Sequence, residues 1–134
     1  RASWSLDKMV RKICLDSDVL IAFLHKDERV KNLLTSVDAE FYITSINTFE
    51  VWYGRKKSEL ISELLPLLPA LAFDDTTARF AADMLRTLKS QGQLLEMRDL
   101  FIAAICIKND VELFTFNLKH FERLEQFGLV IFRG

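Results

Sequence analysis

Three carboxylates stand beside apolar runs far apart in the chain: Asp16 in Ile-Cys-Leu-Asp-Ser-Asp-Val-Leu-Ile, Glu50 in Ser-Ile-Asn-Thr-Phe-Glu-Val, and Asp99 in Arg-Asp-Leu-Phe-Ile-Ala-Ala-Ile. A carboxylate embedded in core-forming sequence is costly unless it is paired, so the pattern points to a shared cation. The donors are all oxygen, with no thiolate or imidazole cluster beside them, which suits Mg²⁺ or Mn²⁺. Such an ion lowers the pKa of a bound water and stabilises charge on a phosphoryl group, so the chemistry indicated is metal-assisted phosphodiester hydrolysis.

The elements that must position these groups follow from hydrophobic periodicity. Residues 11 to 15 form a short buried strand ending at Asp16, and Ser17 is a good N-cap for a helix over 19 to 24. Asp27 caps a second helix over 28 to 36. A strand over 41 to 44 leads into a helix opened by Ser45 or Asn47 and running to Gly54, and residues 60 to 68 are helical until Pro66 and Pro69 close them off. A short strand over 71 to 73 precedes a long helix capped by Asp74 or Asp75 and ended by Gly92. Residues 99 to 107 form a nearly all-apolar helix, and strands over 112 to 116 and 129 to 132 complete the chain. Strands separated by helices predict an α/β fold with a parallel sheet covered on both faces. In such sheets ligands collect beyond the carboxyl ends of the strands, where Asp16, the 44 to 50 segment and the 115 to 117 segment can converge.

The bulk properties set bounds on function. With 134 residues, half of them hydrophobic, the chain is expected to fold as one domain over residues 9–134, with 1–8 as an N-terminal extension or expression remnant. A net charge of −1 argues against coating nucleic acid by charge alone, yet leaves room for a basic rim around an acidic, metal-loaded site. Cys14 and Cys106 read as small core residues. No apolar run approaches the length of a membrane span, and a cytoplasmic location is expected.

Four blocks carry a resemblance: residues 15 to 21 (Leu-Asp-Ser-Asp-Val-Leu-Ile), 46 to 54 (Ile-Asn-Thr-Phe-Glu-Val-Trp-Tyr-Gly), 98 to 104 (Arg-Asp-Leu-Phe-Ile-Ala-Ala) and 114 to 124 (Phe-Thr-Phe-Asn-Leu-Lys-His-Phe-Glu-Arg-Leu). In this order they resemble the PIN-domain nucleases, and within them the toxin ribonucleases of the VapC type, from about Val10 to the C-terminus. The resemblance implies a PIN-like three-layer fold with a central parallel sheet, and an endoribonuclease dependent on Mg²⁺ or Mn²⁺. It carries Asp16, Glu50 and Asp99 over as the acidic catalytic and metal-site residues and places Asn117 at the fourth polar position, where an amide holds a cation less strongly than a carboxylate. It also implies an RNA substrate, an antitoxin protein that covers the site with a tail, and a homodimer. An apolar groove near Trp52 and residues 60 to 68 would suit that tail.

Each residue has a plainer reading. Asp16 can be an Asx-turn or cap residue, Glu50 an exposed helical side chain, and Asp99 a helix-dipole partner. Asp18 is expected to satisfy turn backbone. Ser17 and Thr115 can orient Asp16 or a metal-bound water, or be an ordinary cap and an ordinary strand residue. Arg55, Lys56, Lys57, Arg98 and Lys119 lie next to the acidic blocks and are candidates for phosphate contact, or form a solvated face. His120 reads as a loop or partly packed residue able to touch phosphate, and Glu96 as a further carboxylate or a solvated loop residue; Trp52 and Tyr53 can stack on a base, but read first as core or interface.

Two non-nuclease classes share part of this pattern. An Asp-x-Asp after a strand also opens phosphatases of the haloacid dehalogenase type, but no downstream Lys block fits, and the receiver-domain pattern lacks its strand-end phosphoacceptor. The closer rival is a non-catalytic PIN domain that binds RNA or a partner protein.

Overall fold

A computed structural model describes residues 10–54 and 59–134. Its centre is a four-stranded parallel sheet in the order β3-β2-β1-β4, where β1 is Arg11–Leu15, β2 Ala39–Thr44, β3 Ala70–Leu71 and β4 Glu112–Phe114. Helices α1 (Ser17–Leu24) and α2 (Glu28–Ser36) connect β1 to β2, and α3 (Ser45–Gly54) and α4 (Glu59–Leu64) follow β2. The long α5 (Asp75–Ser90) and the apolar α6 (Met97–Lys108) return the chain to the other side of β1, and the short α7 (Leu118–Phe121) follows β4.

Alternation along the strands sends side chains to opposite faces, and this divides the core in two. Ile13, Leu15, Ile43 and Phe114 pack with Val19, Leu20 and Val30 under α1 and α2. Cys14 and Leu113 face the other way, into Met84, Leu88, Leu100, Ala103 and Ala104 of α5 and α6. The result is the three-layer arrangement expected from the sequence. Ile13, on the central strand, is fully buried; Ile13→Ala is expected to lower unfolding free energy by about 2–5 kcal/mol, read from the urea midpoint at unchanged slope.

Several boundaries differ from expectation, each for a local reason. The third strand starts at Ala70 because Ile43 N–H already bonds Pro69 O, while Phe73 has left the sheet to pack its ring 4.3 Å from that of Phe101. Pro66 lacks the N–H an α-helix needs, so the predicted 60 to 68 helix changes to a 3₁₀ turn at Leu65–Leu67. The strand expected over 129 to 132 contributes a single parallel bridge, Leu113 to Ile131, because Leu113 alone uses both its N–H and its C=O on that segment. Phe49, Trp52 and Tyr53 are exposed and not core: Phe49 and Tyr53 stack on each other with centroids 5.7 Å apart. Cys14 and Cys106 are both buried thiols; the hydrogen bond to Cys106, and then burial, push the Cys14 thiol well above its ordinary pKa and keep it neutral. Among the described residues no helix is long and apolar enough to cross a membrane.

Candidate active site

The strand order makes the site possible. From β1 the chain winds one way through β2 to β3, then crosses back to place β4 on the opposite edge of β1. Between β1 and β4 the carboxyl ends of neighbouring strands therefore open onto a crevice. Asp16 follows the last residue of β1 and Thr115 the last residue of β4, and Asp16 N–H donates to Phe114 O at 2.9 Å.

Asp16 is fully buried and held from several sides. Its Oδ1 accepts from Ser17 N–H at 2.8 Å and from Asn47 Nδ2 at 3.1 Å, and its Oδ2 from the Thr115 hydroxyl at 2.7 Å. Asp16, and not Ser17, is thus the N-cap of α1. That exchange of roles frees the Ser17 hydroxyl, now on the first helical residue, to donate to Glu50 Oε1 at 2.7 Å.

Asn47 is the functional residue that sequence reasoning missed. It lies inside α3 and is fully buried. Its Oδ1 accepts from Thr44 N–H at 3.0 Å and from the Thr44 hydroxyl at 2.6 Å, while its Nδ2 reaches Asp16 and, at 3.0 Å, Ser17 Oγ. A polar amide three residues before Glu50 was the available signal, because that spacing sets both on one helix face.

Asp99 lies in the first turn of α6, which begins at Met97, two residues before the predicted start. The earlier start brings Arg98 into the same turn, and its guanidinium joins all three carboxylates. Nη2 donates to Asp16 Oδ1 at 2.6 Å and to Glu50 Oε1 at 2.9 Å, Nη1 donates to Asp99 Oδ1 at 2.7 Å, and Nε bonds Glu50 Oε2. Burial disfavours the charge of Arg98, but the hydrogen bonds and charges of Glu50, Asp16 and Asp99 outweigh it and hold its pKa above the ordinary value. His120 Nδ1 lies 3.2 Å from the other oxygen of Asp99.

The remaining candidates take lesser places. Asp18 accepts from the N–H groups of Val19 and Phe116 at 2.7 and 3.1 Å, tying α1 to the segment after β4. Burial, followed by the nearby charge of Asp16, raises its pKa from the ordinary value. With its folded value above the unfolded one, this group favours folding most at low pH and loses that contribution as pH rises through the folded value. Asn117 is exposed and reaches the cluster through its backbone, whose N–H donates to Thr115 Oγ1 at 3.1 Å. Lys119 is exposed on α7. Arg55, Lys56 and Lys57 lie outside the described residues. Glu96, Asp99, His120 and Arg123 line a hollow of about 320 Å³ beside the cluster.

Three carboxylates gathered around one cationic group form an all-oxygen donor set of the kind hard divalent ions take. With the guanidinium among them, however, no group of Asp, Glu, His or Cys side chains among the described residues is arranged to hold a metal ion as it stands.

A family model for the PIN domain matches residues 13–126. The chain is 32% identical over 127 residues to Ribonuclease VapC1 of Methanocaldococcus jannaschii, a match covering 95% of this chain and 91% of that protein. The structure of a DNA-bound VapBC from Salmonella typhimurium superimposes with a TM-score of 0.76 at 25% identity, covering 92% of this chain and 98% of that one. A member of the VapBC family of toxin-antitoxin systems from Mycobacterium tuberculosis shares the fold at a TM-score of 0.66 and 20% identity, over 90% of this chain and 98% of that one.

Proposed function

The chain belongs to the PIN domain family, and from that premise we propose that it is a metal-dependent endoribonuclease, the toxin of a toxin–antitoxin pair acting in the cytoplasm. The observation that carries this reading is the convergence of Asp16, Glu50 and Asp99 on one cationic group at the carboxyl edge of the sheet. Ribonuclease is the name of the relative that matches nearly the whole chain, and the toxin–antitoxin assignment is supported by the VapBC likenesses.

In this reading Asp16, Glu50 and Asp99 hold Mg²⁺ or Mn²⁺, with Asn117 as an outer, weaker oxygen. The ion, when bound, supplies an activated water and offsets the charge that develops on the phosphoryl oxygens. The chain's own residues do the positioning. Ser17 N–H, Asn47 and Thr115 fix the two oxygens of Asp16, and the Ser17 hydroxyl orients Glu50, so the carboxylates need little reorganisation to receive a cation. The hollow lined by Glu96, His120 and Arg123 gives an RNA strand room beside Asp99. Attack by water leaves a 5′-phosphate and a 3′-hydroxyl.

An apolar groove of about 220 Å³ lined by Leu20, Phe23, Leu34, Leu64 and Leu68 supports the docking of an antitoxin tail; it includes part of the expected 60 to 68 segment, but Trp52 is not among its lining residues. The exposed Phe49 and Tyr53 pair on α3 supports the homodimer that belongs to this reading.

The test is cleavage of a mixed RNA pool by the purified chain with Mn²⁺ or Mg²⁺, beside EDTA controls. Metal-dependent cutting with 5′-phosphate ends is the expected outcome. A folded, metal-bound, partner-free chain that cuts nothing would instead identify a PIN domain that only binds RNA or a partner.

A further inference from the structure

We propose that the Arg98 guanidinium and the divalent cation are alternative occupants of one place, so that Arg98 is the chain's own plug of the acidic cluster and must swing out before metal can load. The inference rests on the metal-site reading above and adds to it a residue that sets the affinity of that site.

Competition follows from which oxygens are used. Arg98 engages Asp16 Oδ1, both oxygens of Glu50 and Asp99 Oδ1, which takes at least one oxygen from every carboxylate of the cluster. A hard cation needs those oxygens at about 2.0–2.2 Å, and a guanidinium bonded to the same atoms leaves no space for it. This accounts for the lack of any ready metal-binding group among the described residues although three carboxylates face one another.

The plug is removable because the frame does not depend on it. Without Arg98, Asp16 keeps its bonds from Ser17 N–H, Asn47 and Thr115, Glu50 keeps that from Ser17, and Asp99 keeps its 3.2 Å contact with the His120 ring. The carboxylates would stay gathered with their charges uncompensated, a state that binds a divalent cation more strongly than the plugged one. Arg98 also has somewhere to go. Its side chain is 26% exposed, while those of Asp16 and Asp99 are 0% and 4% exposed, so it enters from the solvent side and can leave that way on its flexible stem.

Charge explains why exchange is possible in both directions. One guanidinium offsets one of three negative charges, whereas a divalent cation offsets two; the guanidinium in turn forms four directed hydrogen bonds and avoids stripping water from a small ion. Free chain is therefore held in a stable closed arrangement, and metal affinity is reduced by the fraction of molecules in which the plug is out.

The experiment is titration of the purified full chain with Mn²⁺ alone, followed by calorimetry and by the EPR signal of free Mn²⁺, for wild type, Arg98→Gln, Arg98→Lys and Asp16→Asn. Arg98→Gln is expected to bind Mn²⁺ about 10-fold tighter or more, with Asp16→Asn removing that site. Arg98→Lys, which keeps the charge with fewer donors, should fall between wild type and Gln. The metal-free Arg98→Gln protein should melt lower than wild type and recover more on adding Mn²⁺. Equal or weaker binding by a folded Arg98→Gln overturns the plug while leaving the metal site intact. If the Gln variant does not fold, the Lys variant decides in the same way. Absence of Mn²⁺ binding in every variant overturns the metal-site reading and the plug with it.

Discussion

Asp16→Asn is expected to lower metal-dependent RNA cleavage by about two to three orders of magnitude with the fold intact. The substitution is nearly isosteric. An amide oxygen at the Oδ1 position can still accept from Ser17 N–H and Asn47, and an amide nitrogen at the Oδ2 position can donate to Thr115, whose hydroxyl turns to accept. What is lost is the charge at the most buried point of the cluster, where Asp16 is 0% exposed and electrostatic terms are least screened. Initial rates on a defined RNA with Mn²⁺, beside circular dichroism of both proteins, test this. A folded variant retaining more than about a tenth of wild-type activity would remove Asp16 from the reaction.

Asn47→Ala has the largest expected effect on stability outside the core. It strands the buried N–H of Thr44, leaves the Thr44 hydroxyl with only the backbone N–H of residue 47 as a partner, and deprives Asp16 and Ser17 of a donor. Leaving that many buried polar groups unsatisfied costs about 2–4 kcal/mol, which at this chain length lowers Tm by about 10 °C. Cleavage should fall as well, by about 10- to 100-fold, because Asp16 and Glu50 are both oriented through the Asn47–Ser17 pair. Urea denaturation and RNA cleavage read the two effects separately. Asn47→Asp sharpens the assignment: it keeps the acceptor toward Thr44 but sets a second carboxylate against Asp16, so it should weaken Mn²⁺ binding and cleavage even where stability is partly restored. A fully stable and fully active Asn47→Ala protein would show that α3 is held by other means and that this amide is incidental.

The legibility of the site in the sequence was uneven for physical reasons. Asp16, Glu50 and Asp99 were visible because each stands where solvation and apolar neighbours conflict, a tension that exists before any tertiary contact is made. Thr115 and Ser17 were visible only as alternatives, since a hydroxyl near a strand end serves a cap and a carboxylate equally well. Their partners are set by crossings of 99 residues to Asp16 and of 33 to Glu50, respectively. Asn47 looked like a cap because amides favour helix starts, and only its complete burial reveals the link between Thr44, Ser17 and Asp16.

Composition and periodicity were enough to specify an α/β chain with a parallel sheet, because a period of two in the strands and 3.6 in the helices is a local property. They were enough, too, to mark which carboxylates needed a partner. The identity of that partner in the folded chain was decided by tertiary structure. The reversal of strand order beside β1 brings Asp16 to the start of α6, and the start of α6 at Met97 turns the Arg98 guanidinium onto all three carboxylates. Whether a basic residue lies on a solvated face or within a cluster of acids depends on a direction in space, and the order of residues along the chain does not contain it.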